Sequence, residues 1–308
     1  MKDHNGIKII GIDHGYGNMK TANTCFPTGL IAYDQEPTFR QNLLIYDGRY
    51  YTVGTGHKEF HGDKIMDEDY YVLTLAAMAR ELSTQNLTAA TVYLAAGLPL
   101  SRVSGQTAAF REYLLRNRAV DFTFRGMEYH IKLAGAAVFP QGFAAVADKL
   151  STMTGVNLLC DIGNGTMNVL KIVDRQPDPR QMFTEKYGTN QCVIAVRENL
   201  LRRFHATVDD SIINHVFRSG TADIAPEYLS VITDTAREYT AGIFRLLRDH
   251  EFDPNLMRLH VVGGGGCLVK HFGEYDHDRV TILEDICATA RGYEYMAEKV
   301  LRRSGGIR

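Results

Sequence analysis

No C-x-x-C pair occurs among the cysteines of this 308-residue chain; Cys25, Cys160, Cys192, Cys267 and Cys287 are scattered and odd in number. That excludes a zinc ribbon and a disulfide framework, and predicts reduced thiols in a cytoplasmic protein. No apolar run approaches the ~20 residues a spanning helix needs, so a membrane-spanning reading is excluded and no membrane partner is expected. Met1 to Gly6 are polar and lead straight into a strand, which predicts no signal peptide. An excess of charge is missing as well: 34 Lys plus Arg against 36 Asp plus Glu leave a formal net charge of -2. A protein whose main task is gripping phosphate backbones is more basic, so no direct DNA binding is expected. G-x-x-x-x-G-K-[ST] is absent, which excludes a P-loop enzyme. G-x-G-x-x-G is left incomplete by Lys20 and Asn168, which argues against a dinucleotide oxidoreductase.

The composition that remains, 45% hydrophobic and 23% charged, is that of an ordinary globular protein. At roughly 150 residues per domain the length points to two domains, 1–150 and 151–284. The clearest pattern is a repeat. An apolar run ends in a glycine-rich turn three times: Ile7 to Ile12 before Asp13-His14-Gly15-Tyr16-Gly17-Asn18-Met19-Lys20, Val156 to Cys160 before Asp161-Ile162-Gly163-Asn164-Gly165-Thr166-Met167-Asn168, and Leu259 to Val262 before Gly263-Gly264-Gly265-Gly266. The first two share D-x-G-x-G-x-M in register, half a chain apart, which predicts two domains of similar fold.

Helical spacing marks Asp69 to Leu82, a helix opening at Thr189-Asn190, a long helix from Pro226 to about His250, and a final helix from Asp285 to Leu301. Leu43 to Val53 and Val120 to Leu133 read as strand pairs turning at Asp47-Gly48 and Arg125-Gly126. Strands alternating with helices favour an α/β fold. No low-complexity linker separates the halves, so they are expected to pack around a shared cleft.

Glycine lets successive amide N–H groups converge on phosphate oxygens, by tolerating positive φ and by close approach of the backbone. An Asp beside phosphate requires a counterion. Two such residues, Asp13 and Asp161, would hold the water shell of a Mg²⁺ bound to polyphosphate, with Lys20 as a point charge for the β/γ-phosphates. Tight hairpin turns with Asp as a turn former are the plainer alternative, which the repeat outweighs. His57 and His61, with Glu59 and Asp63 nearby, have metal-ligand spacing, but Gly56 and Gly62 favour a solvated loop. Lys299, Arg302, Arg303 and Arg308 read as a solvated helix end rather than a membrane contact.

These motifs resemble the superfamily of actin, heat-shock chaperone and sugar-kinase ATPases. In detail, G-I-D-x-G-Y-G-N-M-K is similar to the plasmid-segregation actins, the ParM/StbA group, in its Gram-positive branch. The resemblance implies a two-domain actin-like α/β fold with ribonuclease H-like halves and a central nucleotide cleft, the first domain being completed by the C-terminal helix 285–303. It assigns Asp13, Gly15, Tyr16, Gly17, Asn18 and Lys20 to the first phosphate loop, with Tyr16 where conventional actin has a phosphate-binding Ser. Asp161, Gly163, Asn164, Gly165 and Thr166 fall to the second loop, and Gly263, Gly264, Gly265 and Gly266 to the adenosine motif. Asp13 and Asp161 hold Mg²⁺ through water. Pro140-Gln141-Gly142 and Ala144-Ala145 match the first connecting helix, and Ala288 to Tyr293 the helix returning to the first domain. Gln141 orients the attacking water, since an amide is a poor base. The implied function is an ATP hydrolase, with GTP as an alternative nucleotide, that assembles head to tail into filaments and moves plasmids through an adaptor protein bound to centromere-like DNA repeats. A chromosomal or phage actin, or a small-molecule kinase of the same superfamily, are the alternatives.

Overall fold

The computed structural model describes residues 1–55, 68–100 and 102–304; His57 and His61 lie outside them. In chain order the strands of the first half are β1 (Lys2–His4), β2 (Ile7–His14), β3 (Asn18–Lys20), β4 (Cys25–Pro27), β5 (Leu30–Tyr33), β6 (Leu43–Tyr46) and β7 (Arg49–Val53). Then come α1 (Glu68–Ser83), β8 (Ala89–Leu98), α2 (Val103–Leu114), β9 (Ala119–Phe124) and β10 (Met127–Pro140). The second half holds β11 (Val156–Ile162), β12 (Met167–Val173), β13 (Gln176–Glu185), α3 (Thr189–Phe204), α4 (Asp210–Ser219), α5 (Pro226–Asp249), β14 (Arg258–Val262), α6 (Gly266–Phe272) and β15 (Val280–Ile282). The helix α7 (Ala288–Ser304) closes the series. The chain divides into two compact units, Met1–Asp148 with Cys287–Arg308, and Lys149–Ile286.

The sheets of the two units repeat one another. The first contains the path β4-β3-β2-β8-β10 and the second is β13-β12-β11-β14-β15. In each, the first three strands are antiparallel neighbours and the last three run parallel. The first unit extends its sheet further through β9, β6, β7 and β5. Asp47-Gly48 and Arg125-Gly126 turn these hairpins with positive φ at both positions, 51° and 72°, 54° and 76°, as a two-residue primed turn requires.

Side chains alternate across β2, so its two faces meet different layers. Ile10 and Ile12 join a core with Leu73, Met78 and Phe110, whereas Ile9 packs with Ala95, Phe139, Tyr293 and Ala297. The second face is covered by α7, whose buried Ala290, Tyr293, Glu294 and Ala297 recur at helical spacing. The approach is close enough that a Cβ on Gly11 would collide with Ala290 O, and one on Gly292 with Ala144 O. In the second unit, Leu158, Cys160 and Val169 pack under Ile243 and Leu247 of α5.

Three expectations are corrected. The final helix opens at Ala288 rather than Asp285, because the chain must first leave β15; the Arg291 N–H donates to Cys287 O at 3.0 Å. The strand expected to stop at Leu133 runs to Pro140, its later residues pairing in parallel with β8. Pro140-Gln141-Gly142 therefore ends a strand instead of opening a helix. Gly142 takes a φ of 78°, and only short 3-10 turns follow at Phe143–Val146 and Leu150–Thr152.

Candidate nucleotide site

The first turn grows from the carboxyl end of β2. Asp13 pairs in register with Lys20 and His14 with Met19, so residues 15–17 form the connection between β2 and β3. The second grows from β11 in the same way, Asp161 pairing with Asn168 and Ile162 with Met167. Both Asp residues thus sit at the end of a central strand, each opposite the residue seven positions on. In open α/β sheets that end of the strands is where ligands bind.

Asp13 is buried, 4% exposed. Its Oδ2 lies 3.2 Å from Lys20 Nζ and its Oδ1 accepts from Gln141 Nε2 at 3.1 Å. A buried carboxylate needs such partners, because desolvation without them costs more than a typical hydrogen bond returns. Gln141 reaches Asp13 because its own N–H closes on Leu98 O, at 2.8 Å, at the carboxyl end of the parallel strands. Asp13, Lys20 and Gln141 are therefore brought together within the first unit. The neighbouring His14 faces the other way, its Nε2–H donating to Thr74 Oγ1 at 2.9 Å, since that hydroxyl itself donates to Tyr70 O. It fastens α1 to β2. Tyr16 is half-buried, and burial pushes its hydroxyl pKa up, so it remains a neutral phenol. Asn18 is exposed.

Asp161 is likewise buried in the second unit, 6% exposed. The third glycine run is built directly against it. Gly263 has a φ of 85°, and a Cβ there would fall 2.5 Å from Asp161 Oδ1. A Cβ on Gly265 would collide with Ile162 Cγ2, while one on Gly264 would meet nothing within 4 Å. Gly266 opens α6. The turn itself shows Gly163, Gly165 and Thr166 half-buried and Asn164 exposed. Its carbonyls are occupied: Gly163 O accepts from Thr189 N–H at 3.0 Å and Asn164 O from Asn190 N–H at 2.9 Å. The start of α3 is thereby fixed to the turn. The helix opens at Thr189 as expected, with Gly188 as its cap, whose N–H donates to Gln191 Oε1 at 2.9 Å.

Positive φ, one of two reasons expected for the turn glycines, does not apply at Gly15 or Gly163. Their need is space: a Cβ at Gly15 would lie 2.5 Å from Asn18 O, and one at Gly163 3.3 Å from Thr166 O. One residue near the first turn carries no motif and was invisible to sequence reasoning. Thr28 is fully buried, and it hydrogen-bonds Gly15 O and Gly17 O.

The donor set suits a magnesium nucleotide. Carboxylates are hard oxygen donors for that ion; in the first unit Lys20 is a point charge for phosphate, and in the second the Gly263 backbone packs so closely on Asp161 and Ile162 that any side chain there would displace them.

Paired sheets of this order, each with a D-x-G-x-G hairpin at its centre, make up the actin-like two-domain α/β fold. Residues 11–143 match the family model described as the N-terminal domain of actin-like proteins. The fold is shared with an archaeal actin homologue, Ta0583, solved with ADP: 20% identity, TM-score 0.73, 95% of this chain and 100% of that one. It is shared with the actin-like protein Alp7A at 16% identity and TM-score 0.75, over 97% and 98% of the two chains. A 15-stranded ParM filament from Clostridium botulinum is similar too, at 17% identity and TM-score 0.74 over 96% and 99%. No curated protein matches the sequence.

Proposed function

We propose that the protein is a nucleotide hydrolase of the actin type whose assembly into head-to-tail filaments follows the state of its bound ATP. The observation that carries this reading is the repeated register: Asp13 opposite Lys20 and Asp161 opposite Asn168, each on the central antiparallel hairpin of its sheet. Each turn would serve a magnesium nucleotide. Bound Mg²⁺ would neutralise the phosphate charge that develops in the transition state. Asp13 and Asp161 would order the metal's water shell, Lys20 would meet the terminal phosphates, and the amides of the two turns would hold the oxygens. Gln141 would orient the attacking water, and Gly263 to Gly266 would hold the adenosine. The ADP complex of the archaeal homologue and the ParM filament support nucleotide binding and assembly in turn.

The cellular task we assign is plasmid segregation, through an adaptor protein bound to DNA. Near-neutral charge supports an indirect contact with DNA, since phosphate gripping requires a basic surface. No described helix is long and apolar enough to cross a membrane.

A filament needs a heterologous contact whose rotation does not close. Light scattering across a protein dilution series with Mg-ATP, and again with Mg-GTP, should therefore show a critical concentration and a lag that shortens with protein. Phosphate release should trail the scattering. Flat scattering from folded, nucleotide-bound protein would replace the filament reading with a small-molecule kinase.

A further inference from the structure

The first glycine turn owes its shape to a residue outside its own motif. Thr28 lies just past β4 and is fully buried. Its Oγ1–H donates to Gly15 O at 2.7 Å, and its N–H donates to Gly17 O at 3.0 Å. One residue thus holds both glycine carbonyls of the turn. No described peptide bond is cis, and in a trans peptide the N–H points opposite to the C=O. Fixing Gly15 O and Gly17 O toward Thr28 therefore aims the Tyr16 and Asn18 N–H groups to the other side. It also turns two carbonyl dipoles away from the place where an anion would bind, which is what a backbone phosphate cradle requires.

The second turn solves the same problem differently. There the carbonyls of Gly163 and Asn164 are held by the N–H groups of Thr189 and Asn190, at the start of α3. The two carbonyls there are held by backbone N–H groups, with Thr189 Oγ1 adding a 3.4 Å contact to Asn164 Oδ1. Thr28 is a side chain through which the first turn can be loosened without touching the motif.

We propose that Thr28 is a positioning residue for the nucleotide phosphates. It acts through the Gly15 and Gly17 peptides and touches no ligand itself. This rests on the nucleotide reading above. Thr28→Val keeps the shape and the N–H bond but removes the hydroxyl, while Thr28→Ser retains the hydroxyl. Titration calorimetry should find Thr28→Val weaker for Mg-ATP and Mg-ADP by roughly tenfold, about 1.4 kcal/mol, with adenosine affinity unchanged and Thr28→Ser restoring the loss. Equal affinity for Mg-ATP in Thr28→Val, or an equal loss for adenosine, overturns the proposal. Amide exchange on the wild type tests it without a variant: Mg-ADP should protect the Tyr16 and Asn18 amides, and absence of protection also overturns it. A folded wild type that binds no nucleotide at all would instead sink the functional reading, whatever Thr28 does.

Discussion

Gln141 Nε2 donates to Asp13 Oδ1 at 3.1 Å, joining two residues 128 positions apart. An ionised carboxylate only accepts, so it selects the nitrogen of the amide and turns Gln141 Oε1 the opposite way. That is the atom with which a water would be held. The same carboxylate is shared with Lys20, so the Gln141 amide is oriented by a residue that is itself anchored.

Gln141→Ala should leave nucleotide binding and assembly intact and slow hydrolysis by ~10²-fold or more, if water orientation is its only task. Its filaments should outlast those of the wild type, as read by light scattering with phosphate release. Gln141→Glu should do worse, because a second carboxylate about 3 Å from Asp13 forces one of the pair to take up a proton. Its hydrolysis should rise as pH falls toward the point where that proton is bound. An equal loss of ATP affinity in Gln141→Ala would mean that the residue only supports the fold.

Asp161→Ala should abolish hydrolysis and Asp13→Ala should severely weaken it. Losing a well-placed electrostatic group removes ~3–4 kcal/mol of transition-state stabilisation, or roughly 10²–10³ in rate. Phosphate release at saturating Mg-ATP measures both. Wild-type turnover in two folded variants would remove the metal-site assignment.

Gly263→Ala tests the contact between the third glycine run and the second Asp. The added Cβ meets Asp161 Oδ1 at 2.5 Å and Ile162 O at 2.6 Å, on a backbone with φ of 85°. Stability should fall by more than about 1 kcal/mol, and turnover should fall with the displaced carboxylate. Gly264→Ala, where a Cβ meets nothing within 4 Å, is the matched control for space. Denaturant titration of the pair, with phosphate release on each, checks the prediction.

The returning helix predicts a pH dependence. Burial pushes the Glu294 carboxyl up to about 7, against the opposing pull of the Met1 ammonium 3.3 Å away and of the Gly11 N–H, which donates to Oε1 at 3.1 Å. The ordinary value is 4.5, so between these limits the folded chain holds a proton that the unfolded chain has released. The group's contribution is therefore fully present below about pH 4.5 and is lost as pH rises through about 7. Glu294→Gln should flatten that slope and be the more stable protein at pH 8, by on the order of 3 kcal/mol. Denaturant melts of the two proteins at pH 5, 6, 7 and 8 give the difference. A wild type that gains stability over the same range relative to Glu294→Gln would refute it.

Local rules explain why much of the fold is legible in the residues. The D-x-G-x-G repeat marks the hairpins that stand at the centre of two sheets of the same order, and the positive-φ dipeptides Asp47-Gly48 and Arg125-Gly126 mark two further turns. Pro226 marks the first turn of α5. What escapes a local reading depends on distant partners. Residues 134–140, mostly small and apolar, become strand only because β8 pairs with them. Gln141 looks like a helix start after its Pro, yet its backbone ends a ladder on Leu98. Thr28 carries no motif at all; its importance lies in two carbonyls eleven and thirteen positions earlier.

The docking of α7 on β2 has a consequence for biosynthesis. Ile9, Ala95, Phe139 and Ala144 are covered by Tyr293 and Ala297 of that helix, within the first unit. The ribosome makes these four residues before the 149–286 unit and their cover only after that entire unit has been made. Sheet and helix strongly separated along the chain are slow to meet. The second unit is thus the first that can finish folding, although its residues come later. The nascent first unit must wait with an apolar face open, a state prone to association. A chain ended at residue 286 and released from the ribosome should carry a protease-resistant second unit and a first unit that is still cleavable.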